Sequence, residues 1–120
     1  MVTFKQFDVV RVPFPFTDRD ASKNRPALVI SDEFRFNSPA GHSVMAMITS
    51  KANDPWPLDC EIRNLSEAGL SAPSKVRFKL FTLDHRLVRG RLGQLDSEDS
   101  KLMSAAIAEL LNCGNKKTAP

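Results

Sequence analysis

The chain has 120 residues, 42% of them apolar and 26% charged, and a net charge of +3. That length suits one domain, expected over residues 1–114 with a disordered tail at 115–120, and buries an ordinary core without staples. The balance excludes a disordered chain, and the apolar runs fall well short of the ~20 residues that cross a bilayer.

The N-terminus, Met1-Val2-Thr3-Phe4-Lys5, has no basic segment followed by a long apolar core. No secretory signal is expected, and the cytoplasm is the expected location. Cys60 and Cys113 stand far apart without CxxC or Cys/His spacing. Two free thiols are the first reading and a disulfide pair the alternative. His42 and His85 are the only histidines, too few soft ligands for a structural zinc site.

Residues 8–16 alternate, with Val10, Val12, Phe14 and Phe16 on one parity and Arg11, Pro13 and Pro15 on the other. Period two predicts a strand with one buried face, and the prolines put its end at an edge or outside the sheet. Residues 17–24 are polar apart from Ala21 and predict a loop. Pro26-Ala27-Leu28-Val29-Ile30 predicts a strand buried on both faces, with Pro26 holding Arg25 extended.

Residues 34–41 are irregular, with Asn37, Pro39 and Gly41 as turn formers. Residues 43–50 predict a strand with Val44, Ala46 and Ile48 opposite Met45, Met47 and Thr49. A loop at 51–57 holds Trp56, and Leu58, Cys60 and Ile62 predict a half-exposed strand. Residues 75–82 alternate most clearly, and 87–95 give a weaker extended segment broken by Gly90 and Gly93. Asp96 or Ser97 caps a final helix with Leu102, Met103, Ala106, Ile107, Leu110 and Leu111 on one stripe, and Gly114 stops it. Five or six short strands followed by one helix predict a mainly β fold, antiparallel, as a curled sheet or small barrel.

Nucleotide hydrolysis, dinucleotide redox chemistry, serine esterase chemistry and zinc proteolysis lack their signatures: GxxxxGK, GxGxxG, GxSxG and HExxH are absent. Arg25, where a polar loop enters a buried strand, is well placed to grip a phosphate with two parallel hydrogen bonds. The plainer alternative is a surface arginine paired with Asp18 or Asp20. Thr49 and Ser50 close a strand and can bond a phosphate oxygen, or simply begin a turn. Arg77, Lys79 and Phe81 put two cations and a ring on one strand face, which suits single-stranded nucleic acid or a solvated face with Phe81 under the helix. Trp56 is a stacking platform or an interface anchor. His85 beside Asp84 is an acid–base candidate, against the plainer reading of a surface histidine.

Several segments in order resemble one family. Asp8-Val9-Val10-Arg11-Val12-Pro13-Phe14-Pro15-Phe16-Thr17-Asp18 resembles the opening strand of MazF/PemK-family toxins. Arg25-Pro26-Ala27-Leu28-Val29-Ile30-Ser31 is similar to their central motif, and Ile48-Thr49-Ser50 to their ITS segment. Gly69-Leu70, Ser74-Lys75-Val76, Phe81-Thr82-Leu83-Asp84 and Leu92-Gly93-Gln94-Leu95 follow in the family's order.

The resemblance implies an SH3-like small β-barrel of the CcdB/MazF/PemK type with a terminal helix, a homodimer, and a cognate antitoxin. It implies cleavage of single-stranded RNA without a metal or other cofactor, leaving a 2′,3′-cyclic phosphate and a 5′-hydroxyl. Arg25 and Thr49, with Ser50 beside them, match the catalytic positions. Asp18, Lys23, Lys51, Trp56, Arg77, Lys79 and Phe81 are the expected RNA contacts. Two departures stand out: Phe7 takes the place of a usual glycine, and Val76 and Phe78 occupy the spacing of an Arg-x-Asp pair. The rival readings are a non-catalytic gyrase poison of the CcdB type and a non-catalytic SH3-like RNA-binding module.

Overall fold

A computed structural model describes residues 2–13 and 23–112. Residues 14–22, with Phe14, Phe16, Asp18 and most of the expected 17–24 loop, and residues 113–120, with Cys113, Gly114 and the expected tail, lie outside the described residues.

Six strands form one antiparallel sheet. They are β1 (Asp8–Pro13), β2 (Asn24–Val29), β3 (His42–Ser50), β4 (Cys60–Glu61), β5 (Ser74–Asp84) and β6 (Arg91–Gln94), arranged in the order β4-β5-β3-β2-β1-β6. Short helical turns, α1 (Ser38–Ala40) and α2 (Leu65–Ala68), sit in the connections, and α3 (Ser97–Leu111) follows the last strand. The expected mainly β architecture with a C-terminal helix is what the chain adopts, as a curled half-barrel.

The sheet is apolar on both faces. One face buries Val9, Leu28, Ala46, Ile48 and Val76 against Met103, with Ile107 packed partly buried beside them. The other buries Val10, Val12, Ala27, Val29 and Met45 with Phe4, and Phe81, Leu83 and Val88 pack against that cluster. The central run Ala27-Leu28-Val29 therefore has no exposed side, as its unbroken apolar sequence predicts. Phe81 belongs to the face away from α3, so the helix does not cover it.

In β5 the pairing jumps from Met47↔Arg77 to Ala46↔Leu80, leaving Phe78 and Lys79 as extra residues. Such bulges bend a strand and re-aim its side chains. Arg77 and Phe81 still share a face.

Phe7 has φ 74 although it is buried, at 9% exposure. Phe7, expected at a glycine's place, thus takes the left-handed backbone that favours glycine, at a cost on the order of 1 kcal/mol. Burial of the ring and backbone bonds to Val29 O (2.7 Å) and from Leu95 N (3.0 Å) hold it there. A second tight point joins α2 to β6. A Cβ on Gly69 would lie 2.1 Å from Leu92 O, and one on Gly93 would lie 2.4 Å from Glu67 O.

Other differences from the sequence reading have local causes. Only Cys60 and Glu61 pair as a strand, because Leu58 takes φ 64 and turns the chain. Asn37 is fully buried rather than a simple turn residue. Its amide donates to Phe4 O (2.8 Å) and Ser31 O (3.0 Å), pinning the helical turn at Glu33–Asn37. Asp96 caps α3 by accepting from Asp99 N (2.8 Å), and Asp99 in turn accepts from Arg63 N and Asn64 N.

Candidate active site

Arg25 faces Val12 across the β1–β2 ladder, and Met47 faces Ala27 across β2–β3. Alternation places Arg25, Ala27, Met47 and Thr49 on one face. The β2–β3 ladder stops at Ala27 because Pro26 has no N–H to give. Carried two residues further, the same register sets Arg25 opposite Thr49. Arg25 is exposed, and among the described residues no ion pair involves it. The alternative of a pair with Asp18 or Asp20 falls on residues outside the described set.

Thr49 pairs with Lys75 on β5, and Met47 with Arg77, so the same sheet end carries two more cations. Both are engaged. Lys75 Nζ lies 3.0 Å from Asp59 Oδ2 and donates to Asn53 O at 2.7 Å. Arg77 donates to Asp59 through Nε (3.3 Å) and Nη2 (3.0 Å), and to Asp54 O. The Lys75 and Asp59 side chains are only 10% and 13% exposed. Burial pushes the Asp59 carboxyl up, but hydrogen bonds from Arg77, Lys75 and Trp56 N–H and the Arg77 charge outweigh it, leaving it below the usual carboxylate value.

These bonds strap the loop after β3 onto β5. Asn53 Nδ2 donates to Thr49 Oγ1 at 2.6 Å. Trp56 is 41% exposed, with Lys79 Nζ 4.7 Å and the Arg77 guanidinium 5.5 Å from its ring centroid. The β5 bulge carries Lys79 to that position. Ser50 points to the opposite face from Thr49, and its Oγ accepts from Ala52 N (3.2 Å), a turn role. Lys51 is paired with Glu61 at 3.0 Å. Lys23 is exposed at the start of β2, and Asp18 lies outside the described residues.

The structure thus gathers Arg25, Thr49, Arg77, Lys79 and Trp56 at one sheet end and sets Phe81 further along the same face. The cation-rich stretch from 75 to 91 is less of a free patch than its sequence suggests. Lys75 and Arg77 pair with Asp59, Arg86 with Asp84 and Arg91 with Asp8. Hydrogen bonds from Arg86, foremost its side chain, hold the Asp84 carboxyl far below the usual range.

His85 is buried. Its ring is hydrogen-bonded to Ser43 Oγ (2.7 Å) and Val2 O (3.1 Å), and Phe4 packs edge-on at 5.0 Å. It is neither a surface residue nor an acid–base group at this site. His42 stands seven residues before Thr49 on β3, roughly 23 Å along the strand. It lines a separate cavity of about 470 Å³ with Val2, Gly41, Asp84 and Arg86. Burial, with the Asp99 charge, pushes the half-buried Cys60 thiol up, against a smaller opposing effect of Arg63, which disfavours its thiolate form. Among the described residues, no group of three or more His, Cys, Asp or Glu could hold a metal ion.

Sequence alone did not single out Asn53 or Asp59. A polar loop residue and a strand carboxylate look ordinary until the fold brings them to Thr49 and to two cations.

The chain is thus a small β protein of the curled antiparallel half-barrel class, with an arginine and a threonine on one face of neighbouring strands. The signature of the family described as PemK-like, MazF-like toxin of type II toxin-antitoxin system matches residues 5–111. The chain belongs to that family. Its fold is similar to MazF from Deinococcus radiodurans, with a TM-score of 0.69 and 21% identity over 93% of this chain and 99% of that one. It is also similar to the Mycobacterium tuberculosis toxin MazF-mt6, with a TM-score of 0.67 and 18% identity over 88% and 96%. A mycobacterial endoribonuclease solved in complex with its cognate antitoxin gives 0.71 and 15% identity over 91% and 95%. No curated protein matches the sequence.

Proposed function

We propose that this toxin is an endoribonuclease that cuts single-stranded RNA without a metal. The observation that carries the proposal is an exposed Arg25 in β2 on the same sheet face as Thr49 near the end of the neighbouring strand β3. Membership of a toxin family, and the likeness to a protein described as an endoribonuclease, support it.

In this mechanism the 2′-hydroxyl oxygen attacks the adjacent phosphorus and the bond to the 5′-oxygen breaks. A 2′,3′-cyclic phosphate and a 5′-hydroxyl result. The 2′-proton leaves to water, and the departing 5′-oxygen takes one from water. Arg25 stabilises the charge that grows on the phosphorane-like transition state, where a fixed cation acts most strongly. Thr49 bonds a phosphate oxygen or positions the 2′-hydroxyl. The chemistry requires that hydroxyl, so DNA is spared. Trp56, Arg77, Lys79 and Phe81, with Lys23, Lys51 and Asp18, are the proposed surroundings of the strand, and Ser50, expected beside the catalytic pair, serves the turn instead. The working protein is a homodimer held in check by a cognate antitoxin, and it acts in the cytoplasm.

Incubation of pure protein with end-labelled single-stranded RNA in EDTA tests the proposal. Cleavage to 5′-hydroxyl ends that is lost in Arg25→Ala is the expected result. Intact RNA together with gyrase trapped on DNA is the result expected of the rival gyrase poison. Co-expression with the neighbouring short reading frame, followed by co-purification and mass measurement, tests the antitoxin and the dimer.

A further inference from the structure

We propose that Asn53 is a positioning residue that makes the Thr49 hydroxyl a hydrogen-bond donor to the scissile phosphate; this rests on the RNA-cleaving function proposed above. A threonine hydroxyl has one proton and two lone pairs. The Asn53 amide nitrogen can only donate, and it does so to Thr49 Oγ1 at 2.6 Å. One lone pair is therefore taken, and the hydroxyl proton must point elsewhere.

No described acceptor claims that proton. The cross-strand neighbour of Thr49 is Lys75, whose ammonium has donors alone and is already committed to Asn53 O, Asp54 O and Asp59. The proton is left for a ligand on the open face shared with Arg25. A phosphate drawn there by the guanidinium presents oxygens that accept it. Of the two roles open to Thr49, donation to the phosphate is the one this bonding selects.

The Asn53 side chain is also held in place. Asn53 N donates to Ser50 O (3.1 Å), and Ala52 N to Ser50 Oγ (3.2 Å), closing the turn after β3. Lys75 grips the Asn53 carbonyl, and Arg77 the Asp54 carbonyl, while Asp59 anchors both cations. A donor fixed beforehand needs no reorganisation as charge develops.

The test compares Asn53→Ala with Asn53→Asp, alone and in a Thr49→Ala background, by kcat, KM and melting temperature on one labelled RNA. A carboxylate at position 53 accepts the Thr49 proton and turns it from the phosphate. We expect kcat to fall about tenfold in Asn53→Ala and on the order of a hundredfold in Asn53→Asp, with KM changed far less. Both variants should add no further loss once Thr49 is alanine. Asn53→Asp should melt no lower than Asn53→Ala, since Lys75 and Arg77 favour an anion there. A merely structural Asn53 predicts losses that track melting temperature and persist in the Thr49→Ala background. Either that pattern, or Asn53→Asp matching or exceeding Asn53→Ala in kcat, overturns the proposal. If Arg25→Ala and Thr49→Ala abolish cleavage while both Asn53 variants cut normally, this proposal alone falls. If the wild-type protein cuts no RNA, the nuclease function falls, and this role with it.

Discussion

Arg25 on β2 stands directly across from Val12 on β1, so an exposed guanidinium shares a sheet face with a fully buried valine. Among the described residues, the apolar face ends where Arg25 begins. A cation on such a rigid base, exposed among the described residues, is in the setting where a ligand is gripped at low entropic cost.

Arg25→Ala should cut RNA cleavage by about 10² to 10³ in kcat, the scale of losing one fixed electrostatic contact to a transition state. Because Arg25 makes no ion pair with a described residue, melting temperature should hardly move. A calorimetric trace beside the kinetic assay checks this. A large fall in melting temperature would recast Arg25 as structural.

Asp59→Ala should destabilise the fold by about 3 kcal/mol, because it strands the largely buried Lys75 without its counter-ion. Urea unfolding at neutral pH measures the difference. A change below about 0.5 kcal/mol, the scale of an ordinary surface substitution, would show that the strap contributes little.

The same carboxylate fixes a direction of pH dependence. Its value is lowered in the folded state, so its stabilisation is present above the unfolded aspartate value of about 3.9 and is lost as pH falls through the lower folded value. Asp84 and Asp96 are shifted the same way and add to the wild-type slope. Unfolding measured from pH 6 down to pH 2 should therefore show a shallower loss in Asp59→Asn than in wild type. Parallel curves would rule out the contribution.

Phe7→Gly should destabilise less than Phe7→Ala, by roughly 1 kcal/mol. Both lose a buried ring, worth about 3–5 kcal/mol, but only glycine escapes the positive-φ cost. Equal values would mean the backbone relaxes out of that conformation in solution.

Gly93→Ala should prevent stable folding or cost several kcal/mol, because the added methyl meets the α2 backbone, which cannot swing aside. Circular dichroism and a melt decide it. A change under 1 kcal/mol would mean α2 is not seated on β6.

Much of the architecture was legible because alternation survives in sequence. β1, β3 and β5 show their two faces through period two, and the α3 cap is written in Asp96-Ser97-Glu98-Asp99. The α3 stripe was legible as a pattern but not as burial. Met103 is enclosed, while Leu102 and Leu111 remain exposed. The site was legible only in part. Arg25 and Thr49 stand out by position, yet their opposition depends on a register that no local sequence states. Asp59 sits in an alternating stretch that mimics an exposed strand, and its partners lie 16 and 18 residues away in β5. Asn37 looks like a turn former because burial of an amide leaves no trace in composition.

The two extra residues in β5 set a rule for length. Adding or removing a pair of residues at Phe78-Lys79 leaves Leu80 and Phe81 facing as they do now. A single insertion or deletion, unless a one-residue bulge absorbs it, would turn Phe81 toward the α3 side and Leu80 toward the other face. Variation at this point should therefore come in even steps. The reach of the cation over Trp56 can drift among relatives by such steps while the cores on either side stay untouched.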